Sequence, residues 1–370
     1  MESNSNNPRW RILIVTLPFI ILFSGCSHRV SKLYPEIIPK SFEATLVLNP
    51  QSTQALNILY LGCGNLVLEK EGDAIITDPF FSNQKVLKLV GSINTNPDRY
   101  SEWKETLESH LSPSSIKAGL VAHTHYDHVM DLPILLHEHF FPKMEAVYGN
   151  PYLPQMLQHF KNEGPKLVGL QEQQIYNPNE PNDSGYEWIK ISPKIRFLAI
   201  ESNHAPHVGH KLFMSKSLKE KHFQKHLVWP EDKVSAFKWT VGTTYSFLVD
   251  FISSDTLRVF IQTSASEPPN GLPPRAELQK KKVDLAILCY ASAPNVKDYP
   301  GLILDYIKPK KTVLVHWEDF FRTPRSPEDV KLVRGTNPKK VKKRIEVLNL
   351  KSVKDHFVMP KPGTFIHVKY

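Results

Sequence analysis

Cysteine is scarce: Cys26, Cys63 and Cys289 are the only three in a chain of 370 residues. So few cannot build a multiple-bridge disulfide framework. Cys63 (LYLGCGNLVL) and Cys289 (DLAILCYAS) sit in apolar, strand-like contexts and read as buried free thiols, with a disulfide between them as the alternative. Long hydrophobic runs are missing too. ILIVTLPFIILFSG, 14 residues, falls short of the about 20 that span a bilayer as a helix. There is no short-period repeat and no low-complexity tract. Lysine runs do occur, as KKK (280–282), KPKK (308–311) and PKKVKKR (338–344), and they carry much of the net charge of +9. No nucleic-acid recognition motif accompanies them, so nucleic acid is not an expected partner. Such runs are usually solvated faces, and attraction to anionic lipid headgroups is the sharper alternative.

What is present is ample apolar residue for a core: 41% hydrophobic, with 22% charged and 10% aromatic. The length suits one large globular domain or two small ones. The N-terminus stands apart. MESNSNNPRWR carries two arginines and one acid, the apolar run follows, and Ser-Gly-Cys closes it. This n-region, h-region and small-residue layout marks an export signal. It resembles a bacterial lipoprotein signal, in which residues 1–25 are removed and Cys26 becomes the lipidated first residue; an uncleaved anchor is the alternative. Either way the body is expected outside the cytoplasm, at the cell envelope, held to a membrane through its N-terminus. Residues 26–52, with scattered prolines and no periodicity, read as a tether.

From residue 53 strands dominate. LNILYLG, NLVLEKEG and DAIITDPF read as an antiparallel meander. AGLVAHTH reads as a strand running straight into histidines, and VMDLPILLHEHFF as helical spacing broken by Pro133. Further on, KIRFLAIESNH is a strand, and TYSFLVDF and TLRVFIQTS form a hairpin across ISSD. VDLAILCYA and KTVLVHW are buried-type strands separated by the helix-like PGLILDYIK; NPKKVKKRIEVLNL is a basic helix and TFIHVKY a last strand. Strands in both halves with a few helices between them predict an α+β domain over 53–370, two sheets with helices outside. A polar stretch at about 209–238 reads as a surface insertion.

HTHYDH, residues 123–128, concentrates the chemistry. Two strand residues two apart face one side, so His123 and His125 can grip one ion together. Asp127 and His128, adjacent after a turn, can project towards a neighbouring position. Imidazole and carboxylate suit Zn²⁺ and related divalent ions. One turn cannot complete a coordination sphere, and two later strands end in histidine: FLAIESNH at His204 and KTVLVHW at His316. His207 and His210 compete with His204, which is preferred because it comes straight off its strand; His207 is otherwise a supporting or substrate contact.

At these residues the chain resembles the metallo-β-lactamase superfamily, over about residues 55–370, and within it the branch with phospholipase-D-like and lactone-hydrolysing members. The resemblance implies a four-layer αββα sandwich. It implies His123, His125 and His204 on one ion, Asp127, His128 and His316 on another, and Asp78 just beneath the metals. Asp78, His207 and Thr263 are then the expected supports of the ligands. One departure is plain. Many relatives place a bridging aspartate in a turn after a strand, whereas here RVFIQTSASEPPNG offers Gln262-Thr263-Ser264 and no carboxylate until Glu267. A single firm ion, two ions without a bridging carboxylate, or a loop that folds Glu267 back are the three outcomes.

The expected activity is metal-dependent hydrolysis, with zinc as the first choice of one or two ions and Asp127 and His128 as the catalytic pair. The expected substrate is a small-molecule or lipid-like ester or phosphodiester, because an anchor places the site beside a membrane. Tyr126 or Tyr290 is a candidate proton donor, and Glu318 and Asp319 either support ligand histidines or cap the following turn. A non-catalytic metal-binding or scaffolding protein on the same fold is the alternative, and iron-dependent redox chemistry a more distant one.

Overall fold

A computed structural model describes residues 36–370 except 86–87, 90, 163, 182–184, 206–234, 237–238, 292, 325–328, 335–336, 338, 341–342 and 344–352. The export signal, Cys26, His207, His210, nearly all of the 209–238 insertion and most of the basic helix lie outside the described residues. No helix among the described residues is long and apolar enough to cross a membrane.

Two sheets form the body. The first runs in spatial order β1 (Glu43–Val47), β16 (Thr364–Lys369), β2 (Ala55–Gly62), β3 (Asn65–Lys70), β4 (Asp73–Thr77), β5 (Ile116–Leu120), β6 (Ala146–Gly149), β7 (Lys166–Gly169). The second runs β15 (Phe357–Val358), β14 (Lys311–Val315), β13 (Leu285–Cys289), β12 (Leu257–Gln262), β11 (Thr244–Phe251), β10 (Ile195–Ser202), β8 (Ile175–Tyr176), with β9 (Ile189–Ser192) also on β10. β2, β3 and β4 are the antiparallel meander. β11 and β12 are the hairpin.

Side-chain alternation builds the layers. In β2, Leu56, Ile58 and Tyr60 join a core that also holds Phe247, Val249, Val259 and Ile287 from the other sheet. Their neighbours Leu59 and Leu61 belong instead to the cluster of Trp103 and Leu107, from the helix Pro97–Glu108. β13 does the same: Leu285 and Ile287 face the opposite sheet, while Ala286 and Leu288 join Ile303 and Ile307 of the helix Gly301–Ile307. A strand apolar on both faces must be covered on both, and the result is helix, sheet, sheet, helix. Truncating such a residue, Ile287→Ala for instance, costs about 2–5 kcal/mol.

Three local expectations change. The segment read as a tether is part of the fold: its EATLV forms β1 parallel to β16, Leu46 is buried, and Ile37 is buried with its carbonyl accepting from the Met359 amide at 2.8 Å. The domain therefore begins well before residue 53. The strand leading to the histidines ends at Leu120, three residues before His123, and Ala122 beyond it donates its amide to the Asp78 carboxylate rather than to a strand. Pro133 does not break a helix. It occupies the first turn of Leu132–His137, where its missing N–H leaves no intrahelical bond unmade.

Candidate metal centre

Three of the ligand candidates arrive just after the C-terminal end of a strand. His123 follows β5, His204 follows β10 by two residues, and His316 follows β14 directly. His125 stands at the N-cap position of the short helix Tyr126–Val129, and Asp127 and His128 fall within that helix. The backbone is bent to suit: Asp78 after β4 has φ 40° and His316 φ 54°. Left-handed conformations are uncommon outside glycine, though Asp and His adopt them more readily than most, and they collect at functional sites.

The side chains meet as two groups. His123, His125 and His204 have potential ligand atoms within 4.8 Å of one another, and so do Asp127, His128 and His316. The groups abut, with the His123 and His128 ring centroids 3.9 Å apart. In the first group, His125 Nδ1 lies 3.1 Å from His204 Nε2, while His204 Nδ1 donates to the Ala205 carbonyl at 2.7 Å. In the second, Asp127 Oδ2 lies 3.5 Å from His316 Nε2 and 3.9 Å from His128 Nε2.

His123 is the telling residue. It is 0% exposed, and neither ring nitrogen has a hydrogen-bond partner. A buried imidazole without a partner is costly, and a cation shared with His125 and His204 relieves that cost. The spacing fits as well: four-coordinate zinc with bonds of about 2.0–2.1 Å sets its ligands roughly 3.3 Å apart. The donor set therefore suits a divalent metal.

Electrostatics separate the groups. Burial, then the neighbouring His128, His204, His125 and His316 rings, push His123 well below the ordinary histidine value, so it stays a neutral donor. Burial pushes the Asp127 carboxyl up, but a hydrogen bond to His316 and the nearby His128, His316 and His125 rings outweigh it and hold the acid ionised. Burial also lowers His128, yet the charge and hydrogen bond of Asp78, then Asp127, leave it raised.

Asp78, fully buried, lies beneath this group. One oxygen accepts the Ala122 amide at 2.7 Å; the other takes the Thr263 hydroxyl at 2.6 Å and lies 2.9 Å from His128 Nδ1. Thr263 thus touches Asp78 rather than the ligand atoms. Glu267 is exposed at a turn and belongs to neither ligand group, so the folded-back outcome does not occur. Among the described residues no carboxylate bridges the two groups.

The remaining candidates divide. Glu318 accepts the Tyr60 hydroxyl at 2.5 Å, the Trp317 amide at 3.1 Å and the Cys63 amide, and Tyr60 in turn accepts the His316 amide at 3.0 Å. It therefore supports a histidine of the second group through the backbone. Asp319 accepts the Phe321 amide at 3.2 Å and pairs with Arg334, the turn-capping outcome. The Tyr126 phenol is raised by burial and then by Asp127 beside it, whereas burial alone raises Tyr290. Cys63 and Cys289 are buried free thiols.

Two supports left no trace in the sequence. Asp131 Oδ2 accepts the amides of Phe81 and Ser82 at 2.7 and 2.8 Å, tying the loop after Asp78 to the histidine turn. Asn150 fixes Thr124, between the first two histidines.

No family model matches this sequence, and no curated protein matches it. Solved structures are similar in part. Igni18, a novel metallo hydrolase from Ignicoccus hospitalis, is 14% identical with a TM-score of 0.46, over 85% of this chain and 99% of that one. The metallo-β-lactamase fold protein YhfI from Bacillus subtilis is 12% identical with a TM-score of 0.46, over 85% of this chain and 99% of that one. CmlA, a diiron β-hydroxylase from Streptomyces venezuelae, is 12% identical with a TM-score of 0.44, over 87% of this chain and 55% of that one.

Proposed function

We propose that this protein is a metal-dependent hydrolase that cleaves an ester or phosphodiester bond, with zinc as the first choice of cation. The observation that carries the reading is the partnerless, fully buried His123 imidazole set against His125 and His204, with an ionised Asp127 in the adjoining group. When bound, zinc supplies Lewis acidity and lowers the pKa of water from about 15.7 to about 7.

The residues have distinct parts. His123, His125 and His204 would hold one cation, with His123 a neutral donor, and Asp127, His128 and His316 would hold a second. Asp127 also orients the attacking water, because its carboxylate stays ionised and keeps an acceptor oxygen directed into the group. Asp78 fixes the orientation of His128, as a carboxylate behind a ligand histidine does. Tyr126, its phenol kept protonated by burial and by Asp127 nearby, is the proposed proton donor to a leaving group.

The location is part of the proposal. The layout of residues 1–26 supports a lipid anchor at Cys26 and a site facing envelope metabolites or lipid-like esters. Cys26→Ser should then release the protein from the membrane fraction, and its persistence there would count against this anchor.

The deciding test combines metal analysis of the purified protein with turnover on a bis-aryl phosphate, an aryl ester and a lactone. One or two zinc ions per chain and turnover abolished in His123→Ala are expected. Bound metal without turnover on any of the three would overturn the hydrolase reading in favour of a metal-binding or scaffolding protein.

A further inference from the structure

The turn that carries His123 and His125 has a buried residue at its centre. Thr124 is 0% exposed, and its side chain points away from the ligand atoms. Its hydroxyl donates to the Thr240 carbonyl at 2.5 Å, and its amide donates to the Val241 carbonyl at 3.2 Å. Asn150, also 0% exposed, closes the arrangement from the end of β6. Its carboxamide nitrogen donates to the Val241 carbonyl at 2.9 Å, the Thr243 carbonyl at 3.1 Å and the Thr124 hydroxyl at 3.3 Å. The carboxamide oxygen accepts the Tyr152 amide at 3.0 Å.

The space around this amide is shaped for it. Gly242 takes φ 61°, and a Cβ there would lie 2.3 Å from Asn150 Nδ2 and 2.7 Å from its Cγ. A glycine in the left-handed region therefore lets the 240–243 backbone close over the carboxamide. Two N–H donors face three acceptors, so a donor-bearing head of this length suits the position. An aspartate of the same shape would set negative charge against carbonyl oxygens.

The consequence reaches the ligands through the backbone. Ala122 is held on one side by Asp78, and on the other its carbonyl accepts the Tyr245 amide at 2.8 Å; Thr124 is held by the 240–243 loop. With residues 122 and 124 both fixed, the directions of the two rings that flank Thr124 are fixed as well. We infer that Asn150 is a positioning residue for the His123/His125/His204 pocket: it holds the Thr124 peptide so that the histidine rings converge on one cation. This rests on the metal-centre reading above, yet it makes a claim of its own, that preorganisation of the first pocket comes from a side chain touching neither ligand nor metal.

The test measures the affinity of each pocket for zinc by competition with chromophoric chelators, alongside the visible spectrum of the cobalt(II)-loaded protein. Wild type, Asn150→Ala, Asn150→Asp, Thr124→Val and Thr124→Ser are compared, and thermal melting of the metal-free proteins reports folding separately. Asn150→Ala should weaken the all-histidine class of site about 10–100-fold, the usual range for loss of an outer support, and change its cobalt bands while sparing the other class. Thr124→Val should do the same and Thr124→Ser should restore it, with the double variant Asn150→Ala/Thr124→Val no worse than either alone. A lowered melting temperature with unchanged affinities and spectra would overturn the positioning role and leave a packing role. Should Asn150→Asp fail to fold, the Thr124 pair still decides between the two. Failure of the wild type to bind zinc would sink the metal-centre reading instead, a result distinct from metal bound equally by all variants.

Discussion

The two ligand groups at the sheet rim are neighbours that differ in kind. His123, His125 and His204 form an all-imidazole set, held by contacts at Thr124 and Ala205. Asp127, His128 and His316 form a charged set, with Asp78 behind His128 and the Glu318–Tyr60 chain behind the His316 amide. In one, support comes from uncharged contacts around Thr124 and Ala205; in the other, carboxylates supply charge. They touch through the His123 and His128 rings and share no anion, since Thr263 stands where the strand end could have offered one. With no common ligand joining them, the two adjoining pockets are expected to fill and empty separately.

The strongest way to break that picture is to remove one ligand from each set. His123→Ala should abolish turnover, by a factor on the order of 10³ or more, and lose one equivalent of metal while the Asp127 group keeps its own. His316→Ala should lose the other equivalent. If elemental analysis shows either variant stripped of both, the pockets act as one and the comparison fails.

Asp78 offers a finer cut, because its two oxygens serve different sides. Asp78→Asn keeps an acceptor for the Ala122 amide but turns a donor towards His128, so the second pocket should lose about 10–100-fold in affinity and the first little. Asp78→Ala removes both contacts and should weaken both pockets. Titration with zinc in the presence of a competing chelator distinguishes one weakened class of site from two.

The sequence made the centre of this arrangement legible for a physical reason. Histidines crowded into one turn announce a ligand cluster. Strand alternation is not what brings His123 and His125 together, since β5 ends at Leu120 and His125 stands at a helix N-cap. Strands apolar on both faces deliver the residues just beyond them to a rim, as at His204 and His316. Asp78 was reached only through family resemblance. What stayed hidden depends on contacts without period. Tyr60 reaches Glu318 across 258 positions, and Asn150 reaches Thr124 across 26, so no local pattern announces either. β1 escaped notice because its partner is the final strand, β16, and a five-residue parallel edge strand with mixed exposure looks like a linker. Pro133 misled because the same residue that interrupts a helix also opens one.

The smallest effect to seek lies in the metal-free protein, where the two groups should respond to pH with opposite signs. His123 has a folded-state pKa below its unfolded value of about 6.5, so below that pH the unfolded chain takes up the proton more readily, and its contribution to stability is lost as pH falls. His128 has its folded-state pKa raised by Asp78 and Asp127, so its contribution is fully present below about 6.5 and disappears as pH rises through the folded value. Replacing each with glutamine should therefore tilt the stability curve in opposite directions: His123→Gln should flatten the loss below pH 6.5, and His128→Gln should remove a gain there. Urea unfolding of the two chelator-treated variants at pH 5.5 and 8 measures the tilt. Parallel curves for both would mean that the all-imidazole and charged sets are not electrostatically distinct, and the contrast between the pockets would reduce to geometry alone.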